Sequence, residues 1–379
     1  MNIEMSKWTS AHDWVVEKGE LKNREKAQLV MVFGRPQVIS DVATFEVIKK
    51  RFPNADIVGC STAGNVLSST VSDDCMVVTA MEFEKSKVKI AKKEVQTSED
   101  SFKIGQELMK ELDSEHLRHV FILSDGLNVN GSELARGVNS LELKDVQMTG
   151  GLAGDGTDFK TTWVLANGPA KNNQVVAVGF YGENLKINIG CVHGWEIFGV
   201  NRNITRSDKN VLYEIDNEPA LPLFKRYLGE EYSKDLPSSG LRFPLCVYLD
   251  GKTLPVVRTL LAIDEATQSL TYAGDVPEGK VVLLMKSNKD RLIEAAKSAA
   301  KIAKINTEKS CLALVVSCVG RRLVLSKLVE AEVEEVQENL GHNFFLSGFY
   351  SYGELAPLSE TIHCYLHNQT MTLTTITES

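Results

Sequence analysis

One pattern occurs three times in this chain and limits the folds that the chain can adopt. Each copy has an apolar strand, a short turn, an amphipathic helix, a second apolar strand and a glycine-containing turn that ends on a polar residue. The copies span Leu29–Asn65, Val120–Asp155 and Leu312–Glu354. Repetition at this scale indicates that one supersecondary unit is used three times. We therefore expect the three closing turns to gather at one edge of the fold, and we predict a ligand site there.

The order of the elements predicts a mixed α/β fold, because strands alternate with helices and further hairpins follow the closing turns. A chain of 379 residues is long for a single core, so two domains are expected. We predict domains over residues 1–210 and 211–379, built from repeated strand-helix-strand-turn units that form mixed sheets flanked by helices. The last predicted strand, Thr370–Ile376, is a candidate to complete a sheet that both halves share.

Charge and hydropathy exclude several classes of protein. The formal net charge is −8 and no long basic run is present, which argues against a nucleic-acid partner and against binding to an anionic membrane. The apolar stretches are too short to cross a membrane, and the N-terminal residues do not have a signal-peptide pattern. Seven scattered cysteines do not resemble a disulfide framework. These features predict a cytoplasmic protein.

The closing turns do not carry a known catalytic or nucleotide-binding motif. In GCSTAGN, Asn65 and Val66 stand where a phosphate-binding loop needs Lys and Ser or Thr, and TGGLAGDG lacks the spacing of a dinucleotide site. Ser61 and Ser124 lie near strand ends, but neither is in a G-x-S-x-G turn. We therefore expect the glycines to serve close backbone packing, and we expect a binding protein rather than an enzyme.

Three histidines and one cysteine are the candidate metal ligands, namely His193, His363, Cys364 and His367. Cys364 and His367 are three residues apart and can hold one metal ion only if the backbone bends, since a straight strand points them to opposite faces. A single neutral imidazole in an apolar pocket is enough to hold haem b without a covalent bond. A histidine in a strand is more often a structural residue, so both interpretations stay open.

Several segments resemble the FIST domain family in its paired N-terminal and C-terminal regions. They are GCSTAG, GGLAGDG, VLYEIDNEPAL, SCVGR and the tail from GFYSYGELAPL to CYLHNQTMTLTTI. The resemblance implies a sensory module of signal transduction. A chain with little besides the FIST pair is similar to a bacterial subgroup that binds haem and senses nitric oxide. The resemblance to this subgroup implies that the protein regulates, in trans, a sensor histidine kinase, or a diguanylate cyclase or phosphodiesterase, and thereby biofilm behaviour.

For the haem-based sensor, the candidate cofactor-binding residues are His193, His363, His367, Tyr350 and Arg321. A first alternative is a sensor of a small polar metabolite such as an amino acid, which would be bound by Asn65, Asp155, Glu354, Arg321 and Tyr350, because the charged groups suit an ammonium and a carboxylate. A second alternative is a zinc or thiol redox switch, in which Cys364 and His367 act with Cys60, Cys191 or Cys318.

Overall fold

The structure is a computed structural model that describes residues 1–249, 255–358 and 361–379. Elements are numbered in chain order. Those before residue 193 are β1 (Asn2–Thr9), β2 (Asp13–Lys18), β3 (Leu29–Gly34), α1 (Pro36–Ile39), α2 (Val42–Arg51), β4 (Asp56–Ser61), β5 (Asn65–Leu67), β6 (Thr70–Ser72), β7 (Met76–Glu82), β8 (Lys87–Glu94), α3 (Ser101–Leu112), β9 (Leu117–Ser124), α4 (Gly131–Asn139), β10 (Gln147–Leu152), β11 (Val164–Ala166), β12 (Gln174–Tyr181) and β13 (Leu185–Val192).

The elements after residue 193 complete the fold. They are β14 (Glu196–Ile197), β15 (Arg202–Asp208), β16 (Val211–Ile215), β17 (Glu218–Pro219), α5 (Ala220–Ser233), β18 (Leu245–Tyr248), β19 (Pro255–Arg258), β20 (Leu260–Asp264), β21 (Ser269–Tyr272), β22 (Val281–Lys286), α6 (Lys289–Ala303), β23 (Cys311–Cys318), α7 (Val319–Leu325), α8 (Val329–Leu340), β24 (Phe344–Ser351), β25 (Gly353–Pro357), β26 (Cys364–His367) and β27 (Met371–Glu378).

Three six-stranded sheets repeat one arrangement, as the triplicated pattern predicts. Their strand orders are β11-β4-β3-β7-β1-β2, β26-β25-β10-β9-β12-β8 and β6-β5-β24-β23-β27-β13. In each sheet the two strands of one repeat copy run parallel, namely β3 with β4, β9 with β10 and β23 with β24. The other pairings are antiparallel, so each sheet is mixed. The predicted α/β fold of repeated units is confirmed.

The strand that follows each closing turn leaves its own sheet and joins that of another copy. β5 follows the first turn and pairs with β24, β11 follows the second turn and pairs with β4, and β25 follows the third turn and pairs with β10. The three copies are therefore linked in a closed ring. β27 also pairs with both β13 and β23, so strands from the two halves of the chain share one sheet.

The closing turns meet, as the repeat pattern predicts, and backbone hydrogen bonds join them. The Ala63 amide donates to the Tyr350 carbonyl at 2.9 Å, and the Tyr352 amide donates to the Leu152 carbonyl at 3.1 Å. The predicted close packing of glycine is seen at Gly154, where a Cβ atom would lie 2.9 Å from the amide nitrogen of Ala63. A side chain at this position would push the first and second turns apart.

The three sheets share a central core. Their inner faces bring together large apolar side chains from all three repeat copies, and the rings of Phe33 and Phe349 stack there at 4.8 Å. The longer helices lie outside the sheets, where α6 buries Leu292 and its alanines against them. None of the helices in the described ranges is long and apolar enough to cross a membrane.

A fourth sheet of nine strands, β14 to β22, is inserted between β13 and α6 and has a separate apolar core with α5. This sheet lies against the edge where the closing turns meet. The Thr259 amide donates to Asn368 Oδ1 at 3.3 Å, Arg258 Nη1 donates to the Leu366 carbonyl at 2.9 Å, and the Asp275 amide donates to Ser132 Oγ at 3.1 Å. The fourth sheet thus covers the edge for which a ligand site is predicted.

Candidate ligand-binding site

A cavity of about 290 Å³ lies between the strand ends of the three-sheet body and the fourth sheet. The body contributes the segment after β9, the end of β10, the start of α7 and the third closing turn. The fourth sheet contributes β21 and the residues on either side of it. The volume is close to the lower end, about 300 Å³, of the usual range for small-molecule sites. The lining residues used below are Leu127, Asn130, Phe159, Thr259, Leu261, Tyr272, Asp275, Cys318, Tyr352 and Asn368.

Two residues of the lining have buried hydroxyl groups that lack a hydrogen-bond partner among the described residues. Tyr272 is fully buried and Thr259 is 5% exposed, yet the Tyr272 hydroxyl and Thr259 Oγ1 are both unsatisfied. Burial raises the pKa of Tyr272, so its hydroxyl stays protonated and can donate a hydrogen bond. A buried hydroxyl without a partner costs about 1–3 kcal/mol, and a bound molecule or water would recover much of this cost.

Polar side chains of the lining also connect the two sides of the cavity. Asn130 Nδ2 donates to Asp275 Oδ1 at 3.2 Å, which links the N-terminus of α4 to the fourth sheet. The side-chain oxygen of Asn130 meanwhile accepts the amides of Ser132 and Glu133 and so caps α4. Asp275, three residues after Tyr272, therefore places a carboxylate at the junction of the two parts.

The mouth of the cavity is apolar. Leu127, Phe159 and Leu261 are among the exposed large apolar side chains of the protein, and all three belong to the lining. Phe159 stacks on Tyr352 with ring centroids 4.6 Å apart and an interplanar angle of 17°. Exposed apolar side chains gathered around a concave site are typical of binding surfaces.

Asp155 holds Phe159 in place. Its carboxylate accepts the amides of Phe159, Lys160 and Thr161 at 2.7–2.8 Å and also accepts the hydroxyl of Tyr352. Burial raises the pKa of Asp155, but these hydrogen bonds outweigh burial and hold the pKa below its usual value. Asp155, predicted as a ligand-binding residue, therefore organises the loop at the mouth and is not itself part of the lining.

Cys318, a possible ligand in the predicted thiol switch, lines this cavity, but the nine predicted site residues do not, and several of them have partners within the protein. Asn65 accepts the Thr62 hydroxyl at 2.7 Å and donates to the Cys75 carbonyl at 2.8 Å. Glu354 is fully buried and accepts Ser351 Oγ at 2.6 Å together with the amide and hydroxyl of Thr370. The nine residues are Asn65, Asp155, His193, Arg321, Tyr350, Glu354, His363, Cys364 and His367.

Arg321 and Tyr350 belong to a buried network around Glu332. Arg321 Nη2 lies 2.6 Å from Glu332 Oε2, both side chains are fully buried, and the Tyr350 hydroxyl donates to Glu332 Oε1 at 2.7 Å. Arg321 also donates to the carbonyls of His193 and Leu292, each at 2.7 Å. Its charge is thus neutralised inside the protein, which leaves it poorly placed to bind the carboxylate of a metabolite.

The candidate metal ligands do not form a metal site. Cys364 and His367 lie at the two ends of β26, which is extended, so they point to opposite faces. His363 is exposed. Burial raises the pKa of the Cys364 thiol and that of Cys191, the latter to about 11, so both thiols stay protonated. No group of three or more His, Cys, Asp or Glu side chains that could hold a metal ion is found within residues 1–249, 255–358 and 361–379.

The imidazoles of the candidate ligands His193 and His367 are neutral, as an axial haem ligand must be. Burial lowers the pKa of His193 and of His367 to about 4. However, His193 Nδ1 accepts the Trp195 amide at 2.9 Å, and His367 Nε2 lies 3.1 Å from the Ala356 carbonyl oxygen. Neither ring lines the cavity, and the cavity is small for a porphyrin. The residues present therefore do not fit haem at this site.

The residues that do line the cavity carried little signal in the sequence. Tyr272 and Thr259 lie in the inserted sheet, outside the repeat, where no motif distinguishes them from other strand residues. Asn368 is an exception, because it stands in the tail motif next to His367. Tyr352 also belongs to a closing turn, but in that turn the sequence predicts a ligand-binding role for the polar residue after the glycine, not for Tyr352.

Comparisons with known proteins agree with the paired organisation. A family model for the FIST N domain matches residues 28–218, and one for the FIST C domain matches residues 220–357. An uncharacterized protein of Methanocaldococcus jannaschii is 24% identical over 332 residues, which is 80% of this chain. The chain spans 62% of the length of that relative. The crystal structure of cyanuric acid hydrolase from A. caulinodans aligns with a TM-score of 0.35 and 8% identity over 94% of this chain and 91% of that one.

Proposed function

The chain belongs to the FIST family, with a FIST N and a FIST C domain, and on this premise we propose that it detects a small polar metabolite, such as an amino acid, in the cavity beneath the fourth sheet. FIST domains are sensory signalling domains. The identity of the ligand and the position of its site are our proposal.

The observation that carries the proposal is the pair of buried, unsatisfied hydroxyls of Tyr272 and Thr259, two residues of the cavity lining. Buried polar groups in proteins are nearly always hydrogen-bonded. A site in which two such groups lack partners among the described residues favours a polar guest. Asp275 adds a carboxylate that suits an ammonium group.

Ligand binding would be reported through the junction between the body and the fourth sheet. Side chains from both parts line the cavity, so a bound ligand contacts both and favours the arrangement in which those contacts are best. Such a signal requires only that the ligand binds one arrangement of the body and the fourth sheet more tightly than another. We therefore propose a receptor rather than an enzyme, which regulates a sensor histidine kinase, or a diguanylate cyclase or phosphodiesterase, in trans.

Haem-dependent sensing of nitric oxide is the competing hypothesis. If haem binds, His193 or His367 would have to supply the axial imidazole, and the iron would supply the site for the gas. Both imidazoles have hydrogen-bond contacts within the protein and lie outside the lining of the cavity. The contacts of these residues thus give haem less support than they give a polar metabolite.

Two measurements separate these hypotheses. Thermal unfolding in the presence of single amino acids tests the metabolite, because a ligand at 100 times its Kd stabilises the folded protein by about 2.7 kcal/mol. Tyr272→Phe is expected to reduce that stabilisation, whereas Tyr213→Phe, on the same sheet but outside the cavity, is expected to leave it unchanged. A visible absorption spectrum after addition of haem tests the alternative. A stoichiometric Soret band that responds to nitric oxide and is lost in a His193 or His367 variant would favour haem.

A further inference from the structure

We infer that the ligand carries a flat aromatic ring, which stacks on Phe159 at the mouth of the cavity while its polar head group bonds to Tyr272 and Thr259 at the buried end. The inference rests on the proposed function and narrows the ligand to an aromatic amino acid or a close analogue. It depends on three features of the lining: an exposed aromatic face, a polar buried end and a limited volume.

The aromatic face belongs to Phe159. Tyr352 covers one side of this ring, and 43% of the Phe159 residue is exposed, so the other side is open to a second ring. Stacked and edge-to-face aromatic pairs are favoured beyond the burial of area alone. A flat ring entering the mouth would extend the existing Phe159–Tyr352 stack.

Phe159 is also held in an uncommon backbone conformation. Its φ is +50°, a value that non-glycine residues rarely adopt. The three amides bound by Asp155 and the hydroxyl that Tyr352 donates to the same carboxylate keep the loop in this conformation. The position of the ring is therefore fixed before a ligand arrives, which reduces the ordering cost of binding.

The buried end suits the head group of an amino acid. The Tyr272 hydroxyl stays protonated and can donate to a carboxylate, and Thr259 supplies a second hydroxyl. Asp275, on the same side, is an acceptor for an ammonium group. Apolar Leu127 and Leu261 lie with Phe159 at the exposed end, so polarity changes along the cavity from buried to exposed.

The volume sets the size of the ligand. A cavity of about 290 Å³ corresponds to roughly ten water molecules at ~30 Å³ each. This space suits a ligand of about a dozen non-hydrogen atoms, such as phenylalanine. The ring-free amino acid leucine shares the head group and is a matched comparison.

Isothermal titration calorimetry on the full chain tests the inference with L-phenylalanine and L-leucine as probes. We expect L-phenylalanine to bind more tightly, and we expect Phe159→Ala to weaken its binding roughly 3- to 10-fold with little effect on L-leucine. Phe159→Tyr keeps the ring and is expected to bind like the unmodified protein. Phe198→Ala removes an exposed phenylalanine outside the cavity and serves as the matched control. Thermal unfolding of each variant checks that it is folded.

The outcomes separate the inference from the proposed function. Equal affinities for L-phenylalanine and L-leucine, or an unchanged affinity in Phe159→Ala, would overturn the aromatic inference. The proposed function would survive that result if Tyr272→Phe still weakened binding of either probe. Absence of binding by both probes and by the other amino acids would overturn the two together.

Discussion

The backbone amide of Gly154 donates a hydrogen bond of 2.9 Å to the carbonyl of Ser61, so the second closing turn is fastened directly to the end of β4 in the first repeat copy. Similar bonds join the first turn to the third and the third to the second. The turns therefore build one continuous rim of backbone, which Asp155 and Tyr352 connect to the mouth of the cavity. Disturbing a single turn is expected to affect both stability and binding.

Gly154→Ala should destabilise the protein by about 1–3 kcal/mol, because the added methyl group meets the Ala63 amide nitrogen at 2.9 Å and the Ala63 Cβ at 3.1 Å. Chemical denaturation measures the change in the free energy of unfolding. Gly168→Ala is the matched control, since nothing lies within 4 Å of a Cβ at that position. Equal stability of the two variants would show that the turns tolerate a methyl group at position 154 and would contradict the prediction.

Arg321→Ala should cost about 3–5 kcal/mol of unfolding free energy, because it leaves the carboxylate of Glu332 buried without its charged partner. Arg206→Ala breaks the exposed pair with Glu214 and should cost no more than about 1 kcal/mol. Urea denaturation of both variants provides the comparison. A stable Arg321→Ala protein with impaired ligand binding would contradict the structural role and restore the sequence-based prediction that Arg321 binds a ligand.

Glu354 should make stability depend on pH. Burial raises its pKa from 4.5 to about 7, although hydrogen bonds from Ser351 and Thr370 lower it in part. Below pH 4.5 the carboxyl group is protonated in both the folded and the unfolded state. As pH rises from 4.5 through about 7, the carboxyl group ionises more readily in the unfolded state. The free energy of unfolding therefore decreases by on the order of 3 kcal/mol.

The neutral imidazoles of His193 and His367 act in the opposite direction. Their pKa is about 4 in the folded protein, so the free energy of unfolding falls as pH falls from 6.5 toward 4. This change partly masks the effect of Glu354. The measurement is therefore the difference in unfolding free energy between the unmodified protein and Glu354→Gln at pH 4.5 and pH 7.5. The unmodified protein should become less stable relative to the variant at the higher pH. A constant difference would show that Glu354 does not titrate in this range.

The repeat made the fold predictable, whereas the site depended on contacts that no local pattern encodes. Alternating strands and helices in three copies are enough to predict mixed sheets and the meeting of Gly64, Gly154 and Gly353 at one edge. The polar residues next to these glycines are predicted from the sequence to bind a ligand. The structure instead shows that Asn65 and Glu354 bond to neighbouring turns and strands, because a buried polar group must first satisfy its own hydrogen bonds.

The cavity could not be predicted in the same way, because part of its lining comes from the inserted sheet. Tyr272 ends β21 and Thr259 lies between β19 and β20, where no sequence pattern marks either residue. Their unsatisfied hydroxyls become apparent only when the sheet is placed over the turns. Phe159 lies in a loop, and no sequence pattern marks it. Its role follows from the stack on Tyr352 and from the amides that Asp155 binds.

Tyr272→Phe provides the last prediction, because it separates the cost of an unsatisfied hydroxyl from its use in binding. Without ligand, the variant should be as stable as the unmodified protein or up to about 1–3 kcal/mol more stable, since the substitution removes a buried hydroxyl that has no partner among the described residues. With a bound amino acid, the order should reverse, because only the unmodified protein gains the hydrogen bond. Denaturation with and without ligand measures both states, and Tyr213→Phe is the control. Destabilisation of the ligand-free variant would mean that the hydroxyl already has a partner, and the observation on which the proposed function depends would be lost.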